Sequence, residues 1–90
     1  MILVNIPAPM RSLTAGISEV PVTGSTLGEV LDGLEAAYPG IRTRFVDEEK
    51  FKRGIAVFLD GKQAEPHLSL KIPDGAKLFF APAISGGLSL

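Results

Sequence analysis

The chain has 90 residues, enough for one small domain but not for two. Its formal charge is −1, with 9 Lys and Arg against 10 Asp and Glu, so it lacks the basic excess expected of a nucleic-acid-binding protein. The absence of cysteine from these residues excludes disulfides, iron–sulfur clusters and cysteine-ligated zinc sites.

The N-terminal third of the sequence predicts an opening hairpin. The aliphatic run Ile2 to Ile6 ends at Pro7 and predicts a first strand, and Ile17 to Val22 predicts a second strand. The connection between them, residues 8–16, is long for a hairpin turn.

The clearest predicted element is an amphipathic helix over residues 27–38. Thr26 and Glu29 have the spacing of a capping box, which is typical of a helix N-terminus. Apolar residues recur at helical spacing after Thr26, and Pro39-Gly40 ends the pattern. Residues 41–46 predict a short helical turn.

The second half of the chain predicts three more strands. Asp47 to Lys50 is charged and predicts a solvated loop, and Ile55 to Leu59 predicts a third strand that ends in the Asp60-Gly61 turn. Residues 62–65 predict a short edge strand. Residues 66–73 predict a connection whose aliphatic side chains are buried, namely those of Leu68, Leu70 and Ile72. The last predicted strand runs from Lys77 to Ala81, after a turn at Asp74-Gly75.

This order predicts an α+β domain, with one main helix on one face of a mixed sheet of four to five strands. It is the element order of the β-grasp (ubiquitin-like) fold, in which, by analogy, the first and last strands are neighbours at the centre of the sheet. We expect the domain to span residues 1–82 and residues 83–90 to form a flexible tail. No apolar stretch reaches the ~20 residues needed to span a bilayer, and the N-terminus lacks a signal-peptide pattern. The expected location is the cytoplasm, with no membrane partner.

No set of catalytic residues is apparent. His67 lies beside Pro66 in a predicted loop and is typical of a surface histidine. The consecutive acidic residues 47–49 cannot converge on one metal ion, and the serines lack a histidine at the spacing of a nucleophilic triad. Helix capping explains Gly24 to Thr26 better than anion binding does. We therefore predict no catalytic residue, no metal site and no bound cofactor, and hence no enzyme.

The remaining feature is the Gly86-Gly87 pair beyond the last strand. Glycine loses much conformational entropy on ordering and packs nothing, so the pair does not serve stability. Either it is an unconstrained terminus, or it threads into the narrow active site of another enzyme. Six residues from Pro82 to Gly87 span up to ~20 Å when extended.

Three stretches of the sequence carry a resemblance to a known family: Ile6-Pro7 through Met10-Arg11 to Thr14-Ala15-Gly16, Thr26-Leu27-Gly28-Glu29-Val30-Leu31 through Leu34 to Tyr38-Pro39-Gly40-Ile41, and Asp74-Gly75 through Pro82 to Gly86-Gly87. Together they resemble the MoaD/ThiS family of ubiquitin-like sulfur carriers, and within it most closely the carriers that donate sulfur in cysteine biosynthesis. The helix stretch and the tail, found together at matching positions, are specific evidence for this resemblance. A Gly-Gly pair alone would be weak evidence.

The resemblance implies that Gly87 carries the sulfur, with Gly86, Ser85 and Ile84 as the segment that threads into partner enzymes. An ATP-using adenylyltransferase of the ubiquitin-activating type would adenylate the carboxylate of Gly87, which would then become a thiocarboxylate. A synthase would accept the sulfur. A PLP-dependent cysteine synthase is the preferred acceptor, and thiamine, molybdopterin and specialised-metabolite pathways remain open.

The sequence departs from the family pattern because Leu88-Ser89-Leu90 follows Gly87. An internal peptide bond cannot be adenylated as a carboxylate, so the resemblance implies cleavage between Gly87 and Leu88, by a JAMM-type metallopeptidase. Two alternatives stay open. One is an interaction module that is never processed, and the other is a protein modifier joined through Gly87 to lysines of other proteins.

Strand parity predicts a docking surface for a partner. If Val57 faces the helix, Phe58 faces away from it, and if Leu78 and Phe80 face inward, Phe79 faces outward. Phe58 and Phe79 would then form an exposed apolar patch, which is typical of partner sites. The alternative is that residues 66–73 cover one or both side chains.

Overall fold

The computed structural model describes residues 1–82, in which the predicted elements follow one another in the predicted order. The strands, helices and one 3-10 helix have these bounds: β1 Ile2–Asn5, a 3-10 helix Ala8–Thr14, β2 Glu19–Val22, α1 Leu27–Ala37, α2 Arg42–Phe45, β3 Val46–Asp47, β4 Lys50–Phe51, β5 Ile55–Leu59, β6 Lys62–Ala64 and β7 Lys77–Pro82. The predicted tail, residues 83–90, lies outside the described residues.

Five strands form one mixed sheet in the order β2-β1-β7-β5-β6. Strands β1 and β7 are parallel neighbours, with Leu3 opposite Lys77, and the other neighbours are antiparallel. The first and last strands therefore lie side by side within the sheet. This confirms the β-grasp prediction. The sheet has five strands, where four to five were predicted.

Helix α1 forms where its capping signals predict. Thr26 Oγ1 accepts a hydrogen bond from the backbone N–H of Glu29 at 3.2 Å, and the Glu29 carboxylate accepts from the backbone N–H of Ser25 at 2.8 Å. The carbonyls of Leu70 and Leu68 accept from the first N–H groups of the helix, those of Leu27 and Gly28, at 2.9 and 2.8 Å. Residues 66–73 therefore pack against the start of α1, and these contacts satisfy donors that a helix N-terminus leaves unpaired.

The core fills the space between α1 and the inner face of the sheet. Leu27, Val30, Leu31 and Leu34 of the helix are fully buried there. The aromatic rings of Phe45 and Phe80 lie 4.3 Å apart between centroids, and Phe51 stacks against both. None of the helices within residues 1–82 is both long and apolar enough to cross a membrane.

Two segments differ from the sequence predictions. Residues 47–50, predicted as a loop, instead belong to the two-stranded hairpin of β3 and β4, whose turn is Glu48-Glu49. The hairpin forms because Phe51 packs on Phe45 and because the backbone N–H of Lys52 donates to the Phe45 carbonyl at 2.7 Å. Strand β2 begins at Glu19 rather than at residue 17, since the 3-10 helix occupies residues 8–14 and a turn follows it.

Candidate functional site

Strand β7 ends where the predicted tail begins. Its first residues pair with β1, and β5 pairs with it up to the last residue, with Ile55 opposite Pro82. Residue 83 therefore follows directly from a strand in the interior of the sheet. The predicted threading and sulfur-carrying positions Ile84, Ser85, Gly86 and Gly87, and the cleavage position Leu88, lie outside the described residues.

The outer face of the sheet carries apolar side chains beside this end of β7. Phe58 and Phe79 are directly opposite each other in the β5–β7 ladder, and Phe79 is 37% exposed while Phe58 is half-buried. Their sequence neighbours Val57, Leu78 and Phe80 are buried toward the helix. Leu3 and the opposed alanines 56 and 81 are also half-buried, and by strand parity they lie on the same outer face. We call Leu3, Ala56, Phe58, Phe79 and Ala81 the outer patch.

Residues 66–73 leave the outer patch uncovered. Their carbonyls bond to the N-terminus of α1, on the opposite side of the sheet, and Lys71 forms an isolated bridge with Thr26. The apolar side chains of this connection, Leu68, Leu70 and Ile72, pack against the core. The structure therefore decides against the alternative in which this segment covers the two phenylalanines.

A groove of about 440 Å³ lies at the end of the sheet where β7 terminates. One wall is the start of the 3-10 helix with its preceding proline, and the other is the start of β5 and the end of β7. We call this the exit groove; its principal lining residues are Pro7, Met10, Arg11, Ile55, Phe80 and Ala81. Its walls are mostly apolar, and it opens beside the outer patch because Ala81 belongs to both.

Sequence reasoning assigned no role to the residues of the first wall. A signal was present, because Pro7 and Pro9 begin a connection, residues 8–16, that is too long for a hairpin turn. The structure shows that Met10 N–H donates to the Pro7 carbonyl at 2.9 Å and that Arg11 Nε donates to the Ile6 carbonyl at 2.9 Å. These bonds form a short 3-10 turn that folds back beside β1.

The titratable groups of residues 1–82 do not assemble a reactive centre. His67 has a mostly exposed side chain and lies 3.8 Å from a carboxylate oxygen of Glu65, an exposed pair. The N-terminal ammonium group contacts Asp74 and lowers the pKa of that carboxyl, but this pair lies at the opposite end of β7 from the exit groove. No group of three or more His, Asp or Glu side chains in this part of the chain could hold a metal ion.

The ThiS family matches residues 4–87 of the chain. The chain is 33% identical over 91 residues to the sulfur carrier protein CysO of Mycobacterium tuberculosis, which covers 96% of this chain and 98% of that protein.

Solved structures show the same similarity. A crystal structure of the BexX/CysO complex of Amycolatopsis orientalis matches with a TM-score of 0.86 and 34% identity, over 97% of this chain and 100% of the matched chain. The crystal structure of M. tuberculosis CysO matches with a TM-score of 0.84. Small archaeal modifier protein 1 of H. volcanii is more distant, with a TM-score of 0.70 and 26% identity over 92% of this chain and 97% of that one.

Proposed function

The chain belongs to the ThiS family, and we propose from that premise that it is a sulfur carrier protein on which partner enzymes act, and not itself an enzyme. One observation carries the proposal: the family match extends from residue 4 through the Gly86-Gly87 pair and ends at Gly87. The relatives named as sulfur carriers align over nearly the whole chain, which supports the same role.

We propose that Gly87 carries the sulfur as a thiocarboxylate. Its carboxylate would attack the α-phosphorus of ATP on an adenylyltransferase of the ubiquitin-activating type, forming an acyl adenylate and releasing pyrophosphate. A sulfide donor would then displace AMP and leave the thiocarboxylate. Because ATP binds to the partner enzyme, the carrier needs no cofactor of its own, and we place these steps in the cytoplasm.

The three residues after Gly87 require cleavage before activation. The amide between Gly87 and Leu88 has no carboxylate to adenylate, so we propose that a JAMM-type metallopeptidase removes Leu88-Ser89-Leu90. Gly86 and Gly87 have no side chains to obstruct either the peptidase or the adenylating enzyme. For the acceptor we propose a PLP-dependent cysteine synthase, since carriers of cysteine biosynthesis are the group that the sequence resembles most.

The outer patch is the proposed docking surface for these partners. Phe58 and Phe79 are adjacent on the ladder that leads to the tail, and Phe79 remains 37% exposed. An enzyme that reaches Gly87 along at most ~20 Å of extended chain must lie close to the end of the sheet. Contact with the apolar outer patch would align the tail with the active site of that enzyme.

The similarity to an archaeal modifier protein favours one second candidate, in which Gly87 is joined to lysines of other proteins. Both functions use the same activation step and differ in its product. A modifier accumulates as conjugates of higher mass in cells, whereas a sulfur carrier accumulates as the free thiocarboxylate.

An ATP–pyrophosphate exchange assay with the activating enzyme of the source organism tests the proposal. We expect exchange with the chain ending at Gly87 and none with the 90-residue chain until the peptidase has acted. A matched control chain ending at Ser85 retains every described residue and should be inactive. Absence of exchange with the chain ending at Gly87 would contradict the carrier function, and exchange with the uncut chain would contradict the processing step.

A further inference from the structure

The exit groove is a second surface feature at the end of the sheet, in addition to the outer patch. It is distinct from the patch because its walls include the 3-10 helix, which packs beside the sheet rather than on its outer face. Phe80 contributes from the inner face of β7, and Asn5 from the end of β1. The groove therefore lies between the 3-10 helix and the end of the sheet.

Hydrogen bonds hold the walls of the groove in place. The Arg11 carbonyl accepts from the N–H of Gly16 at 2.8 Å and from the hydroxyl of Thr14 at 3.2 Å, and Thr14 is fully buried. The Arg11 side chain is tied to β1 through the Ile6 carbonyl. Pro7 and Pro9 further restrict the backbone. A groove fixed in this way loses little conformational entropy when a partner enters it.

The charged residue that lines the groove is a cation, Arg11. Within residues 1–82, Arg11 has no carboxylate oxygen within 4.0 Å. An apolar groove with an unneutralised arginine in its wall is complementary to an apolar side chain flanked by an acidic residue.

We propose that the exit groove receives an apolar side chain, flanked by Asp or Glu, from the activating enzyme that adenylates Gly87. This inference rests on the proposed carrier function and adds a second contact to it. The groove adjoins the outer patch through Ala81, and its wall residue Ile55 is the ladder partner of Pro82. An enzyme that contacts the outer patch and approaches the end of β7 therefore meets the groove.

Two exposed residues of the 3-10 helix provide a matched test. Ala8 lines the exit groove and Ser12 does not, although both lie in the same helix and are exposed. We expect Ala8→Glu to raise the KM for the carrier in pyrophosphate exchange by about tenfold, because it places a carboxylate where an apolar group should enter. Ser12→Glu, with the same change in charge, should stay within about twofold of wild type.

Two further variants test the groove independently of a negative charge in its wall. Met10→Ala shortens a lining side chain, and we expect a severalfold higher KM with kcat unchanged. Arg11→Gln should raise KM at low salt and lose most of this effect at high salt, because salt screens the attraction between exposed charges. Urea unfolding of each variant establishes that it is folded under the assay conditions.

The outcomes separate this inference from the carrier function. Exchange with wild type and an unchanged KM for both Ala8→Glu and Met10→Ala would overturn the groove as a contact and leave the carrier function standing. An unchanged KM for Arg11→Gln at low salt would overturn the acidic flank. No exchange with the wild-type chain ending at Gly87 would overturn the carrier function, and the groove's role with it.

Discussion

At Gly33, helix α1 lies so close to strand β2 that a side chain does not fit. A Cβ atom at this position would be 2.6 Å from Cγ1 of Val22, which is buried and stiff because it is β-branched. Glycine in a helix ordinarily costs stability relative to alanine, by about 1 kcal/mol. Its presence here is explained by this close approach of α1 to the sheet.

We therefore predict that Gly33→Ala destabilises the protein by about 1 kcal/mol, since overpacking outweighs the gain in helix propensity. Urea unfolding measures this difference. In the Val22→Ala background the obstructing methyl is gone, so Gly33→Ala should be neutral or stabilising there. Equal effects in both backgrounds would show that the Val22 contact is not the cause.

Two carboxylates, of the exposed Glu29 and the half-buried Glu35, accept hydrogen bonds at the two ends of helix α1. The Glu29 carboxylate accepts hydrogen bonds from the backbone N–H of Ser25, which has the larger effect, and from the Ser25 hydroxyl. These bonds lower the pKa of Glu29 below its ordinary value of 4.5. Glu35 accepts from the backbone N–H groups of Gly40 and Arg42, each at 2.9 Å, which lowers its pKa in the same direction. The folded state therefore binds these protons more weakly than the unfolded state.

A pH dependence of stability follows from the Glu35 bonds. The pKa of Glu35 is lower in the folded state than in the unfolded state, where it is 4.5. The contribution of the Glu35 bonds to folding stability is therefore fully present above pH 4.5 and is lost as the pH falls through the folded pKa. We predict that the urea midpoint of Glu35→Gln falls less on acidification than that of wild type. Glu19→Gln, which changes an exposed carboxylate outside these bonds, is the control. Identical pH profiles for wild type and Glu35→Gln would refute the assignment.

Among the elements, the β3–β4 hairpin has an unfavourable turn sequence. Glu48 and Glu49 have φ values of 49° and 62°, which are left-handed conformations that favour Asn and Gly. The ion pair of Glu49 with Arg42, at 3.3 Å, is exposed on its Glu49 side and contributes little. Packing of Phe51 on the core keeps the hairpin in place despite its turn.

Replacing the turn should strengthen this hairpin. We predict that Glu48→Asn combined with Glu49→Gly stabilises the protein by about 1 kcal/mol, because both residues then suit left-handed backbone. The measurement is thermal or urea unfolding. Glu49→Gln separates the ion pair from the turn, since it removes the charge without relieving the backbone, and it should change little. If the double variant is destabilised, the ion pair between Glu49 and Arg42 contributes more stability than the improved turn sequence does.

The elements also show what local sequence determines. Helix α1 and strands β1, β5 and β7 have strong patterns or capping signals, and each was predicted from them. The 3-10 helix and the β3–β4 hairpin were not, because side-chain contacts that no strand or helix pattern encodes hold them: Arg11 to the Ile6 carbonyl, and Phe51 to Phe45 and Phe80. The outward positions of Phe58 and Phe79 followed from strand parity, whereas the exit groove needed the 3-10 helix and so could not be predicted.

At the scale of the whole molecule, the core formed by residues 1–82 extends as far along the chain as Phe80. We predict that a chain ending at Pro82 unfolds at the same urea concentration as the full chain, within about 0.5 kcal/mol. Such a chain lacks the proposed carrier positions, so it should keep its fold and lose all exchange activity. A large loss of stability would contradict the division into a domain of residues 1–82 and a tail.

The central claim concerns the state of Gly87 in the cell, and the intact mass of the protein from its native cells tests it most directly. We predict a species that ends at Gly87, with part of the population heavier by the exchange of one oxygen for one sulfur. This result would establish processing and sulfur loading together. A mass that always includes Leu88-Ser89-Leu90, in cells where the protein is functioning, would contradict the carrier function and favour an interaction module that binds through the outer patch.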